Sequence, residues 1–126
     1  TSILSQMICY RFRREVDYAA HLAKLRKIYR HKSSLMIDGL RAHAGGKLAF
    51  HEPEGGLFIW CRLPDGVDMP AFCLNAVKNK VAVVPGTAFM PNQTDQTQCF
   101  RLNFSTPTDE QLIQGVEILG RLAKEI

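Results

Sequence analysis

The sequence contains no Cys-x-x-Cys pair, no His-Glu-x-x-His, no Gly-x-Ser-x-Gly and no glycine-rich loop joining a strand to a helix. Each absence removes a chemistry: a zinc ribbon, a zinc protease, a nucleophile elbow, a phosphate cradle. Long hydrophobic runs are also missing. The longest falls well short of the roughly 20 residues that a membrane span requires, and the N-terminus lacks the charged-then-apolar order of a leader, so a cytoplasmic chain is expected. Repeats and low-complexity segments are absent. The four cysteines, Cys9, Cys61, Cys73 and Cys99, are widely spaced and have no histidine at ligand spacing, so buried reduced thiols are expected and no metal site. His21, His31, His43 and His51 stand in no catalytic motif, and the acidic residues form no acid/base pair.

What is present suits one ordinary globular domain. At 126 residues, 46% hydrophobic and 22% charged, the chain can bury a single core. The net charge of +4 comes with basic clusters at Arg11, Arg13 and Arg14 and at Lys24, Arg26, Lys27, Arg30 and Lys32. These fall between the apolar positions of a helical repeat, and no aromatics interleave to stack bases. A solvated helix face is therefore expected rather than a nucleic-acid surface.

The clearest period runs from residue 17 to about 42, where Tyr18, Leu22, Leu25, Tyr29, Met36 and Leu40 share one stripe and Asp17 can cap. Residues 1–14 show no clear period and read as an extension or as the frayed end of an element cut away. Gly45 and Gly46 end the helix. Lys47–Phe50 then reads as a strand that can pair with Leu57–Leu63. In the second strand Leu57, Ile59, Cys61 and Leu63 point one way and Phe58, Trp60 and Arg62 the other, so apolar residues occupy both faces and both call for cover.

After the turn at 64–66, Met69, Phe72, Cys73, Ala76 and Val77 form a short amphipathic helix with Asp68 as cap and Pro70 in its first turn. Val81–Val84 reads as a strand stopped by Pro85-Gly86, and residues 87–98 as a long polar loop. Phe100, Leu102 and Phe104 alternate with Cys99, Arg101 and Asn103. A last helix starts near Thr108 with a capping box and runs through Leu112, Val116, Leu119 and Ala123. The order predicts an α+β two-layer sandwich: a small, mostly antiparallel sheet of three to four strands with helices packed on one face.

One residue breaks the pattern. Arg101 sits at the centre of a strand otherwise read as buried, and a guanidinium there asks for a planar anion, a carboxylate or phosphate. An internal ion pair with Asp or Glu, or an edge strand facing water, would serve equally well on this reading of the residues.

Four stretches in register carry a resemblance: Pro53-Glu54-Gly55-Gly56-Leu57-Phe58-Ile59-Trp60, Leu63-Pro64, Val81 through Phe89, and Arg101-Leu102-Asn103-Phe104-Ser105. With the Leu-Arg-x-x-Tyr pattern inside His21–Leu40, they resemble the C-terminal small domain of class I/II aminotransferases, fold-type I enzymes that use pyridoxal phosphate. The branch resembled contains 2-aminoadipate and multi-substrate aminotransferases and aminotransferase-like regulators.

The resemblance implies that residues 1–126 are that small domain, with 1–42 including the long helix leading in from a large domain outside this chain. It implies that Arg101 clasps a substrate α-carboxylate with Asn103 on the same face, that Gly55 and Gly56 close over the substrate side chain, and that Pro85, Gly86 and Phe89 form a turn at the site entrance. It further implies amino acid and 2-oxo acid substrates, a homodimeric full-length protein, and a cofactor lysine elsewhere. None of Lys24, Lys27, Lys32, Lys47, Lys78, Lys80 or Lys124 lies in the Ser-x-x-Lys pattern usual for it, so no catalytic residue is expected in this chain and the piece alone is expected to be inactive. Two other readings stand beside this one: an effector-binding domain of a winged-helix transcription regulator, and a free-standing binder of small carboxylates.

Overall fold

In the computed structural model, which describes residues 1–92 and 94–126, the chain divides into two compact units, residues 1–31 and 32–126. The first unit begins with a helix that the sequence pattern did not show. The segment is helical: α1 spans Ile3–Glu15, with the Ser2 hydroxyl accepting from the Ser5 N–H at 3.4 Å. The periodicity gave no signal because none of its residues is buried. Val16 leaves the helix in an extended conformation, and Asp17 caps α2 (Tyr18–His43) by accepting from the Ala20 N–H at 3.0 Å. Across this joint the Phe12 ring meets Tyr18 and His21 edge-on, and Arg13 lies over Tyr18.

The second unit contains the C-terminal part of α2, from Lys32, and the sheet. The apolar stripe of α2 is buried only here, at Met36, Ile37 and Leu40, whereas Tyr18 is exposed. The sheet is formed by β1 (Ala49–Phe50), β2 (Phe58–Arg62), β3 (Val84–Pro85) and β4 (Cys99–Asn103) in the order β1-β2-β4-β3, every neighbour antiparallel. The hairpin of β1 and β2 is as expected, though β1 is only two residues long. The remaining helices are α3 (Met69–Lys78), capped by Asp68, and α4 (Asp109–Lys124), where Thr108 and Gln111 complete the capping box.

The expected strand at 81–84 is corrected to Val84–Pro85. The reason lies in how α3 stops. Lys80 turns into the left-handed region at φ 66°, and the Val81 N–H donates back to the Ala76 carbonyl at 2.9 Å. That donor is committed to the helix end and is unavailable to a ladder. The loop expected at 87–98 is also more ordered at its start, where Gly86–Phe89 form a 3-10 turn; position 93 of that loop lies outside the described residues.

One face of the sheet is closed. Ile59, Cys61 and Leu63 from the β2 segment and Phe100, Leu102 and Phe104 from the β4 segment are almost completely buried against α3, α4 and the end of α2. The Phe72 and Phe100 rings meet at 5.5 Å. Helices α2 and α4 cross without room for a side chain: a Cβ on Gly120 would lie 2.6 Å from the His43 backbone carbon, and one on Gly39 would lie 2.2 Å from Val116. Val77, expected on the inner side of α3, is exposed. The other sheet face is open. Phe58 and Trp60 are exposed to 36% and 43%, so β2 is not buried on both faces within this chain.

Candidate functional site

The open face is built around Arg101. Cα register puts Trp60 on one side of it and Val84 on the other, so β4 is an inner strand and Arg101 lies near the middle of the sheet. Its guanidinium carbon lies 4.0 Å from the centroid of the Phe58 ring and 4.5 Å from that of Phe89. Phe58 arrives from β2 by simple alternation. Phe89 arrives from the 3-10 turn, and Trp60 buttresses it edge-on at 5.2 Å with rings 75° apart.

Pro85 and Gly86 make that delivery possible. Pro85 ends β3 with its fixed φ, and Gly86 then passes so close to β4 that a Cβ would stand 2.4 Å from the Cys99 carbonyl oxygen. The glycine is required by backbone approach, and the turn it permits carries Phe89 over Arg101.

The electrostatics of Arg101 discriminate between the alternatives left open by the sequence. Among the described residues no carboxylate pairs with it; the ion pairs formed by arginines elsewhere join Arg41 to Glu52 and Arg62 to Asp65. The internal ion pair is therefore not what holds it, and the edge-strand alternative fails on sheet order. Instead the guanidinium carbon stands over two aromatic rings, each cation–π contact being worth about 0.5–2 kcal/mol. The Nε atom is buried without a hydrogen-bond partner. A buried charged donor left unmatched is costly, and a planar oxyanion accepting from Nε and an Nη would satisfy it.

Asn103 shares this face two residues along, opposite Phe58. Its Oδ1 accepts from both the N–H and the hydroxyl of Ser105 at 2.7 Å, which leaves the side-chain amide nitrogen as its outward group. Gly55 and Gly56 lie in the bend before β2. A Cβ at either would meet nothing within 4 Å, but Gly56 has φ +84°, a conformation that itself favours glycine. The structure thus brings together Arg101, Asn103, Phe89 and Pro85, and places Gly55 and Gly56 at the adjoining strand entry. Phe58 and Trp60 were assigned no role from sequence. Their signal was the period-two alternation that already set them on the Arg101 face.

A concavity of about 680 Å³ lies at the far end of the β2–β4 pair and is lined by Arg62, Asp68, Thr87, Thr97 and Gln98 among others. Its one guanidinium is held by Asp65 at 2.5 Å, so the chemistry favours Arg101. The Cys61 and Cys73 thiols are buried. Burial, with a smaller contribution from nearby Cys99, pushes the Cys61 thiol up to about 12, and burial pushes Cys73 up to about 11. Cys9, expected to be buried, is exposed on α1. Among the described residues no cluster of His, Cys, Asp and Glu could hold a metal, and no helix is long and apolar enough to cross a membrane.

Comparison with known proteins gives this geometry a context. Residues 2–119 match the family described as aminotransferase class I and II. The 2-aminoadipate transaminase of Thermus thermophilus is 31% identical over 124 residues, 98% of this chain and 31% of that protein. Among solved structures, the kynurenine aminotransferase of Pyrococcus horikoshii superposes with a TM-score of 0.86 at 32% identity, covering 95% of this chain and 30% of that one. LysN, the α-aminoadipate aminotransferase of Thermus thermophilus complexed with N-(5'-phosphopyridoxyl)-L-leucine, superposes with a TM-score of 0.87 at 29% identity, covering 98% and 31%. Similarity extends to HTH-type transcriptional regulators such as NorG of Staphylococcus aureus, 26% identical over 127 residues and 28% of its length. The chain therefore spans about 31% of the length of the first of these relatives.

Proposed function

Because the chain belongs to the class I and II aminotransferase family, we propose that it is the C-terminal small domain of a pyridoxal-phosphate-dependent aminotransferase and that its open face binds the carboxylate of an amino acid or 2-oxo acid. The observation that carries this reading is the Arg101 guanidinium, set over the Phe58 and Phe89 rings with a buried donor and no acidic partner among the described residues. Such a group is pre-organised for a planar anion. Little conformational freedom remains to be lost on binding, and Lys could not reproduce the fork of donors.

Pyridoxal phosphate, when bound, supplies the electron sink for amino-group transfer. In this reading no lysine of these residues holds it. No strand of the sheet carries a lysine, and Lys32 and Lys47 commit their ammonium groups to backbone carbonyls. In this proposal the cofactor lysine belongs to a large domain that also covers Phe58 and Trp60. This chain orients the substrate through Arg101 and Asn103, and its aromatic wall excludes water from the ion pair. Full-length protein is expected to be a homodimer, and this chain alone is expected not to turn over.

Reduction with borohydride in the presence of pyridoxal phosphate, followed by peptide mapping, tests the division of labour. Scattered substoichiometric labelling is expected. Selective stoichiometric labelling of one lysine would overturn it. The similarity to HTH-type regulators supports a second reading, in which the same face senses an effector carboxylate. A winged-helix segment in the full coding sequence would favour that reading.

A further inference from the structure

Lys32 departs from the other basic residues of its cluster. Arg11, Arg13, Arg14, Lys24, Arg26, Lys27 and Arg30 are exposed, as a solvated helix face should be, whereas Lys32 is half-buried. Its ammonium donates to the Ser105 carbonyl at 3.3 Å and also to the Pro107 carbonyl. Those carbonyls lie just before Thr108, the N-cap of α4. A cation at the positive end of a helix is electrostatically disfavoured, so helix electrostatics do not account for its position. The two carbonyl bonds do.

What they hold bears on the open face. Ser105, whose carbonyl Lys32 grips, donates its own N–H and hydroxyl to Asn103 Oδ1, both at 2.7 Å. With Oδ1 engaged twice, the Asn103 amide has one orientation, and its nitrogen is the atom left to face a ligand beside Arg101. The connection runs from α2 to Ser105 and from Ser105 to Asn103 through three hydrogen bonds within the second unit, and the bond to Pro107 holds the same turn. We propose that Lys32 is a positioning residue that pins the 105–107 turn and thereby fixes the Asn103 amide as the second donor to the carboxylate bound at Arg101. This rests on the carboxylate-binding reading of that face.

The test uses the 126-residue chain, labelled with 15N, with acetate as the probe and the Asn103 side-chain amide resonances as an independent readout. In K32M these resonances are expected to shift or broaden before any acetate is added. Acetate affinity is expected to fall about three- to tenfold, the loss of one modest hydrogen bond. K32R, which can still donate to the carbonyls, is expected to restore both. Unchanged Asn103 resonances and unchanged affinity in K32M would overturn the proposal.

R101M separates this from the underlying reading. If acetate binding is absent, or indifferent to R101M, the carboxylate reading fails while the resonances still judge Lys32. Should K32M not fold, S105A removes one of the two donors onto Oδ1 and leaves the carbonyls in place. It should move the Asn103 resonances in the same direction but less, and no movement would count against the relay.

Discussion

The two faces of the β2–β4 pair are made by the same two strands and obey opposite rules. Inward, Ile59, Cys61, Phe100 and Leu102 are apolar and nearly inaccessible. Outward, Phe58, Trp60, Arg62, Cys99, Arg101 and Asn103 mix rings, charge and amide, and much of that surface is open. The inner face is held by close packing, so each atom there counts toward stability. On the outer face aromatic rings flank a charge instead, and in the proposed function the same kinds of residue count toward recognition. An apolar residue on a strand is therefore not by itself a core residue. What matters is whether its partner lies in the same chain.

The contrast breaks most visibly at Phe100 and Trp60. Phe100→Ala is expected to lower unfolding free energy by about 3–5 kcal/mol through lost burial and a cavity against Phe72. Trp60→Ala should cost about 1 kcal/mol or less, as befits a partly exposed edge contact. Urea unfolding of both variants checks the pair, and equal losses would erase the distinction between the faces.

The next effect is set by pH. The unfolded-state Cys61 thiol ionises near its ordinary 9.0, while the folded one holds its proton to about 12. Between those values the native state binds more protons, so stability is complete below about pH 9 and declines as pH rises toward 12. Cys73, raised to about 11, adds to the same slope. Replacing Cys61 with Ala should flatten the decline. Alkylation at neutral pH should label exposed Cys9 first and leave Cys61 and Cys73 unmodified in the folded chain.

Arg101→Lys probes the outer face alone. It should weaken carboxylate binding roughly ten- to a hundredfold, as expected when a charge-assisted bidentate contact is lost, with the urea midpoint nearly unchanged. A large stability loss would mean that Arg101 serves packing instead. The smallest effect compares two adjacent glycines. Gly56→Ala should cost about 1 kcal/mol for its left-handed backbone, and Gly55→Ala almost nothing in the free chain. If both cost the same, the left-handed backbone does not explain Gly56.

Much of the inner layer was legible in advance because it depends on local chemistry. The Asp17, Asp68 and Thr108 caps were readable, as were the alternation of β4 and the stripe of α4, since capping and periodicity act within a few residues. Arg101 stood out as a charge in a strand otherwise read as buried. Helix α1 was not legible, because a helix with no buried face leaves no period. The short β3 was hidden for another reason: β-branched Val81 and Val83 favour a strand, but the α3 end had already taken the Val81 donor.

By itself, the sequence determined which residues could share a face, where the helices would be capped, and that one guanidinium would stand in the middle of a strand between buried residues. These follow from bond geometry and short-range hydrogen bonding. Only the tertiary structure decided that Arg101 would have rings rather than a carboxylate as neighbours, that Gly86 would be needed for backbone approach, and that Lys32 would reach the carbonyls beside Asn103. Each of those contacts joins segments distant in the chain, and their proximity is set by how the sheet and helices pack.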